Sequence, residues 1–320
     1  MSRSASSSSS TARCGCSTST TRTATACNLQ KTFPAEFESA VGARAATRRS
    51  VRGSGYGTNT AKWSVELDNG RRVFVKHALD ELATKWLRDE AKIYEAVRAP
   101  FLPAFVVFHD ADDTFLVIED LSDAYWPPPW LDDQITVAMA TLDEVHATGP
   151  PAGLRELEDL RFWLNGWIAV AEDPAPFLSA GLCTPEWLRE ALPSLSRASQ
   201  ECELGGDALV HLDFRSDNAC FRGGRMFIVD WNLAAVGNPL IDAVACAPSL
   251  RLEDGPEPWE LVPDTGGLSS LVAGFFAARA GLPPPATAPT VREFQRAQLE
   301  VALPWAAREL GLDPPKRLSG

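Results

Sequence analysis

His211, Asp213, Asn218 and Asp230 lie in one short stretch, LVHLDFRSDNACFRGGRMFIVDW, which runs from Leu209 to Trp231. Two apolar runs, Ala208-Leu209-Val210 and Met226-Phe227-Ile228-Val229, each deliver polar groups at their C-terminal ends. The first is followed by His211, Asp213 and, five residues after that Asp, Asn218; the second is followed by Asp230. Arg222-Gly223-Gly224-Arg225 between them is a turn signal, so the stretch predicts a hairpin of short strands with an acidic mouth. Two strand-end carboxylates and a loop amide converging on one point suit a divalent cation held by oxygen ligands together with phosphate. A buried acidic hairpin without chemistry is the bland alternative, and the full spacing argues against it.

The order HxD-x4-N, then an apolar strand and Asp, resembles the catalytic and metal loops of protein-kinase-like phosphotransferases. More narrowly, it is similar to the aminoglycoside phosphotransferase and choline kinase group. That resemblance implies ATP-dependent, or GTP-dependent, phosphorylation of a small-molecule hydroxyl, with Mg²⁺ on the nucleotide phosphates. Asp213 would be the base that orients or deprotonates the acceptor, Asn218 and Asp230 the metal ligands, and Arg215 a group that stabilises the transferring charge. His211 would support the loop. Downstream, Gly237-Asn238-Pro239-Leu240-Ile241-Asp242-Ala243-Val244-Ala245 resembles the group's Gly-x-Pro-x-x-Asp-x-Ala segment, which implies that Asp242 accepts hydrogen bonds from the catalytic-loop backbone.

The nucleotide side must be built by the preceding elements. Gly53, Gly55 and Gly57 stand just before a strand, where glycines let backbone amides approach phosphates closely, and Asn59 offers a further donor. Lys62–Leu67 and Arg72–His77 flank the turn Asp68-Asn69-Gly70 and predict a hairpin. Lys76 ends the apolar run Val73-Phe74-Val75; a Lys there is costly if merely buried and free of cost if on a surface edge. Leu82, Trp86, Ile93 and Val97 recur at helical spacing and predict a helix over Asp80–Val97. The resemblance implies that Lys76 pairs with Glu90 on that helix, with Glu81 and Glu95 as rivals, and so holds the α- and β-phosphates. Phe105–Phe108 and Phe115–Ile118 predict another hairpin. Ile118-Glu119-Asp120-Leu121 resembles the hinge between the lobes, where the Glu119 carbonyl and Leu121 amide would read the nucleobase edge.

Beyond the hinge, Tyr125–Trp130 is a rigid aromatic segment expected to pack the lobes or wall the nucleotide cleft. Helices are expected over 131–147, 154–170, 185–203, 268–280 and 291–310, the last kinked or split by Pro304. His146 ends the first of these and reads as structural. Glu156, Glu158 and Asp159 form an acidic cluster that fits either a solvated helix face or the collection of an amine-bearing acceptor such as an aminoglycoside or amino alcohol. Leu212 stands where the small-molecule kinases usually carry Gly, and Trp231-Asn232 replaces the Phe-Gly of protein kinases. If Leu212 disabled the loop, the chain would be a nucleotide-binding pseudokinase without turnover. A hydrolase built on His211-x-Asp213 would want further His ligands, and the other three, His77, His109 and His146, form no ligand-like pair.

Composition sets the remaining bounds. A net charge of −12 disfavours nucleic acid as partner, and no apolar run reaches the ~18 residues of a membrane helix. Seven cysteines without paired spacing in the folded part read as reduced thiols, which together with the implied nucleotide chemistry points to the cytoplasm. Residues 1–34 are roughly half Ser and Thr with no Asp or Glu, and the expectation there is a disordered tail or mis-assigned start, with a transit peptide as the weaker reading. The expected architecture is α+β: a two-lobed protein-kinase-like fold with a β-rich N-terminal lobe over 35–120 and a mainly helical C-terminal lobe over 121–320.

Overall fold

The computed structural model describes residues 33–51, 59–286 and 288–315. The Ser/Thr-rich segment and the glycines Gly53, Gly55 and Gly57 lie outside these residues.

The N-terminal region is an antiparallel sheet with one long helix against it. A short helix α1 (Phe37–Val41) precedes strands β1 (Ala45–Val51), β2 (Thr60–Leu67) and β3 (Arg72–Ala78), which are followed by helix α2 (Glu81–Ala96) and strands β4 (Phe105–His109) and β5 (Phe115–Glu119). The spatial order is β1-β2-β3-β5-β4. Strand alternation sorts the side chains. Ala61, Trp63, Val65 and Leu67 of β2 and Val73 and Val75 of β3 are buried with Phe37 on one face, so Lys62, Ser64 and Lys76 fall on the other. Asp80 caps α2 by accepting a hydrogen bond from the Ala83 amide at 2.8 Å.

The C-terminal region is mainly helical. In chain order it comprises α3 (Gln134–His146), β6 (Arg155–Glu156), α4 (Arg161–Leu164), α5 (Trp167–Glu172), α6 (Ala175–Ser179), α7 (Pro185–Glu201), β7 (Ala208–Val210), β8 (Ala219–Arg222), β9 (Arg225–Ile228), β10 (Ala235–Gly237), α8 (Leu240–Leu252), α9 (Pro258–Leu261), α10 (Leu268–Ala280) and α11 (Val291–Glu309). Trp167, Leu195, Leu271 and Trp305 anchor its helical core. A second core joins Leu87 and Tyr94 of α2 to Leu209, Phe214, Ile228 and Trp231. Burial of such side chains, worth ~2–3 kcal/mol each, fixes the helix that carries Glu90 against the loops that carry the acidic residues.

Three expectations need correction. The two apolar runs of the central stretch do not pair with each other. β9 pairs with β8 across the Arg222–Arg225 turn, whose glycines both take positive φ, 60° and 75°, as a tight hairpin turn demands. β7 instead pairs with β10 in a separate sheet, because the loop 211–218 carries the chain away before Cys220 and Phe221 supply the hairpin partner. The helix expected over 154–170 is broken into β6, a 3₁₀ turn at Leu157–Leu160, α4 and α5, since Glu156 pairs with Val236 of β10 in a parallel bridge. Pro304 does not split the last helix: α11 runs through it, held by buried Leu303, Trp305 and Ala306. Among the described residues no helix is long and apolar enough to cross a membrane.

Candidate active site

Lys76 is the hub of the cleft. Its Nζ donates to both Glu90 oxygens, at 2.7 and 2.8 Å, and to Asp230 Oδ1 at 3.0 Å. Lys76 is 4 % exposed and Glu90 1 %, so each charge depends on the other for compensation. Burial disfavours the Lys76 ammonium, but the Asp230 and Glu90 carboxylates outweigh it and hold its pKa above the usual lysine range. Burial pushes Glu90 upward, with Lys76 opposing. Asp230 is held well below the usual carboxylate range: burial alone would raise it, and Lys76 with Lys62 more than offsets that. The rivals Glu81 and Glu95 are both exposed.

The loop after β7 is pinned from beneath. Asp242, fully buried in the first turn of α8, accepts from the His211 amide at 2.9 Å and the Leu212 amide at 2.7 Å, and lies 3.0 Å from His146 Nε2. His211 Nδ1 accepts from the Asp213 amide at 3.2 Å, so Nε2 carries the proton and donates to the Val229 carbonyl at 3.0 Å. Burial lowers the His211 pKa and keeps the ring neutral. One imidazole thereby ties the loop bearing Asp213 to the strand end bearing Asp230. Leu212 sits at φ 65° and Asp230 at φ 69°, left-handed positions that a non-glycine residue occupies only at a cost.

Around Asp213 the polar groups close up. Asn218 Nδ2 donates to the Asp213 carbonyl at 2.8 Å and to Asp213 Oδ2 at 3.1 Å. Arg215 pairs with Asp213 Oδ1 at 3.0 Å and with Asp217 at 3.1 Å. Burial pushes the Asp213 carboxyl up to about 6, with Arg215 opposing and Asp230 and Asp217 adding to the rise. A carboxylate so placed accepts a proton readily near neutral pH.

Two cavities meet here, sharing Arg215 and Asp230. One, of about 320 Å³, runs from Asn218 and Asp230 past Lys76 and Lys62 to Glu119, Asp120, Leu121 and Trp126. The other, of about 290 Å³, opens from Asp213 between α10 and α11. Of the residues expected on the nucleotide side, Lys76, Glu119 and Leu121 line the first, as does Trp126 of the aromatic segment. Asn59 is exposed just before β2, its carbonyl accepting from the Leu79 amide at 2.9 Å, and does not line either cavity. Gly55 and Gly57 fall outside the described residues. Glu156, Glu158 and Asp159 line neither cavity; Glu158 is instead paired with Arg161 at 2.5 Å.

Lys62 is the residue that sequence reasoning missed on this side. It faces Lys76 directly across the β2–β3 ladder, and burial, followed by the neighbouring Lys76 charge, lowers its pKa. The period-two alternation of Ala61, Trp63, Val65 and Leu67 was the signal that placed it in the cleft. His146 was missed as a partner of Asp242, which no local pattern discloses across 96 residues.

Asn218 uses its amide nitrogen within the loop, leaving the amide oxygen, and Asp230 uses Oδ1 for Lys76, leaving Oδ2. Among the described residues no cluster of three or more His, Cys, Asp or Glu has metal-holding geometry. One carboxylate and one amide oxygen fit Mg²⁺, which is commonly completed by phosphate and water rather than by an all-protein cage.

Residues 51–279 match the model of the phosphotransferase enzyme family. No curated protein matches the sequence significantly. A choline/ethanolamine kinase family protein from Mesorhizobium loti superposes with a TM-score of 0.58 at 16% identity, covering 86% of this chain and 97% of that one. Aminoglycoside phosphotransferase APH(4)-Ia, in ternary complex with ADP and hygromycin B, gives 0.52 at 15% identity, covering 85% of this chain and 97% of that one. An amicoumacin kinase in complex with AMP-PNP and Ca²⁺ gives 0.50 at 11% identity over 82% of this chain and 92% of that one. The fold is thus protein-kinase-like, and the chain, matched over most of its length, belongs to the phosphotransferase enzyme family of small-molecule kinases.

Proposed function

We propose that this enzyme transfers the γ-phosphate of ATP to a hydroxyl of a small molecule, with the division between its lobes at Asp120. The observation that carries this reading is the convergence on Lys76 Nζ of Glu90 and Asp230, beside a loop that presents Asp213 and Asn218 to the same cleft. Lys76 positions the α- and β-phosphates, and Lys62 adds a second cation. The Glu119 carbonyl and Leu121 amide, at the far end of the same cavity, receive the base, and GTP is the second purine nucleotide to test there. Asn218 and Asp230 are the residues that would hold Mg²⁺, which when bound would neutralise negative charge on the nucleotide phosphates.

Asp213 takes the acceptor hydroxyl by hydrogen bond, orients it for in-line attack and accepts its proton as the new O–P bond forms and the bond from the γ-phosphorus to the departing ADP breaks. Arg215, bridging Asp213 and Asp217, stands at the junction of the two cavities and stabilises charge on the phosphoryl group in transit. The support that Asp242 gives Leu212 favours turnover over nucleotide binding alone, because it holds Asp213 at this junction despite the missing glycine. Buried free thiols at Cys183, Cys202, Cys220 and Cys246 fit a reducing, cytoplasmic setting.

The test is acceptor-stimulated ADP release across a panel of neutral and amine-bearing alcohols, in wild type and Asp213→Asn. The reading predicts stimulation by at least one class and its loss in the variant, with ATP binding retained. Full activity in Asp213→Asn would remove Asp213 from the role of base.

A further inference from the structure

We propose that the cavity beside Asp213 selects a neutral, largely apolar molecule that presents one hydroxyl to Asp213 and a second hydrogen-bond donor to Gln298. The role given to Asp213 rests on the phosphotransfer reading; the choice of ligand chemistry rests on the cavity wall.

Most of that wall is apolar, with Trp163, Leu164, Leu212, Phe275, Phe276 and Phe294 among its members. Its charged members are already compensated: Asp213 by Arg215 at 3.0 Å, and Asp230 by Lys76 at 3.0 Å. The Arg279 guanidinium lies 3.8 Å from the centre of the Phe275 ring and 5.4 Å from that of Trp163, which adds positive charge behind two wall residues. The nearby acidic cluster, with Glu158 committed to Arg161, does not reach the cavity. An amine-rich ligand therefore finds no free carboxylate there to replace its hydration, and its desolvation would go unrewarded. An apolar skeleton is rewarded by the aromatic surface it covers. The wall continues outward at α4, where Trp163 is 45% exposed and its neighbour Phe162 80% exposed.

Gln298 supplies the polar address. It lines the cavity and is 1% exposed. Its Nε2 donates to Ser249 Oγ at 2.7 Å, while its Oε1 is shielded and has no hydrogen-bond partner among the described residues. A buried carbonyl oxygen left unmet is unfavourable, so a ligand donor that reaches it restores a hydrogen bond that nothing else there supplies. Pockets of this kind combine an apolar wall with a few placed polar groups that fix orientation.

The test uses four probes on the full chain: terpin, a neutral alicyclic diol; menthol, its mono-alcohol counterpart; choline; and the polycation neomycin. Binding is measured by calorimetry in wild type, Gln298→Leu and Trp163→Ala, with folding checked by circular dichroism. Terpin is expected to bind more tightly than choline and neomycin. Gln298→Leu should weaken terpin about tenfold, the worth of one hydrogen bond, and change menthol little. Trp163→Ala, at a part-exposed site, should weaken both. Tighter binding of choline or neomycin, no binding of terpin, or equal terpin affinity in Gln298→Leu would overturn the proposal. The Mg²⁺-ATP melting shift of the same samples is read separately: its absence would sink the nucleotide reading, whereas the four probes alone decide the chemistry of the cavity.

Discussion

Lys76 Nζ lies 3.0 Å from Asp230 Oδ1, a contact between residues 154 positions apart that joins the N-terminal sheet to the loop after β9. The same ammonium holds Glu90 on α2, so one buried cation fixes three elements. Glu90→Gln should therefore destabilise the fold by ~3 kcal/mol, the lower end of the range for breaking a buried pair, because Lys76 keeps Asp230. Phosphotransfer should fall at the same time, since a neutral amide restrains the ammonium less firmly than the carboxylate does. Denaturant unfolding together with ADP release checks both effects, and unchanged stability would contradict the pairing.

Asp213, with its carboxyl pushed up to about 6, gives a pH dependence of definite sign. Acceptor-dependent kcat/KM should rise with pH through an acidic limb near 6 as the carboxyl deprotonates. For stability the sign is opposite. A carboxyl with a folded pKa above its unfolded value of ~3.9 makes the native state the better proton binder between those values, so stability is lost as pH climbs from about 4 through 6. Asp213→Asn, which should lose transfer, should thus raise Tm above pH 7, with the gain vanishing below pH 4. Scanning calorimetry against pH reads this directly.

Leu212, at φ 65°, should invert the usual ranking of small residues. Leu212→Ala and Leu212→Gly both forfeit the leucine's packing, but only glycine adopts this backbone without strain. Leu212→Gly should be the more stable by ~1 kcal/mol, whereas in ordinary helical or strand positions alanine wins. Urea unfolding of the two variants decides it.

Lys62 faces Lys76 across the ladder, and burial and that neighbour both lower its pKa. Lys62→Met should leave the free protein as stable or more so, and weaken ATP about tenfold, the contribution of one charged hydrogen bond to phosphate. Calorimetric ATP titration would show it.

Much of this site is legible in the chain because it is local. Asp213 and Asn218 are separated from Asp230 by a turn with its own glycine signal, and Lys76 follows the apolar run Val73-Phe74-Val75. Glu90 stands out once α2 is placed by its apolar spacing. What escaped is long-range or hidden in the wrong period. The Leu209–Trp231 stretch reads as one hairpin because sequence reveals two strands but not their partners, and β7 chose β10. Gln298 lies on a helix whose periodicity says only that it packs; that its carbonyl oxygen would be left unpaired depends on Ser249, 49 residues away. The break in the expected helix over 154–170 came from Glu156 meeting β10, a tertiary contact that overrides local helix preference.

The most direct test of phosphotransfer chemistry at this junction is the melting temperature of wild type and Asp230→Asn with ATP, with and without Mg²⁺. Asparagine can still accept a hydrogen bond from Lys76 but surrenders the charge a magnesium ion needs. A ligand that binds only the native state raises Tm, so wild type should gain a Mg²⁺-dependent shift that Asp230→Asn loses. No shift in folded wild-type protein, or an equal Mg²⁺-dependent shift in the variant, would contradict the placement of the nucleotide–metal site on Lys76, Asn218 and Asp230.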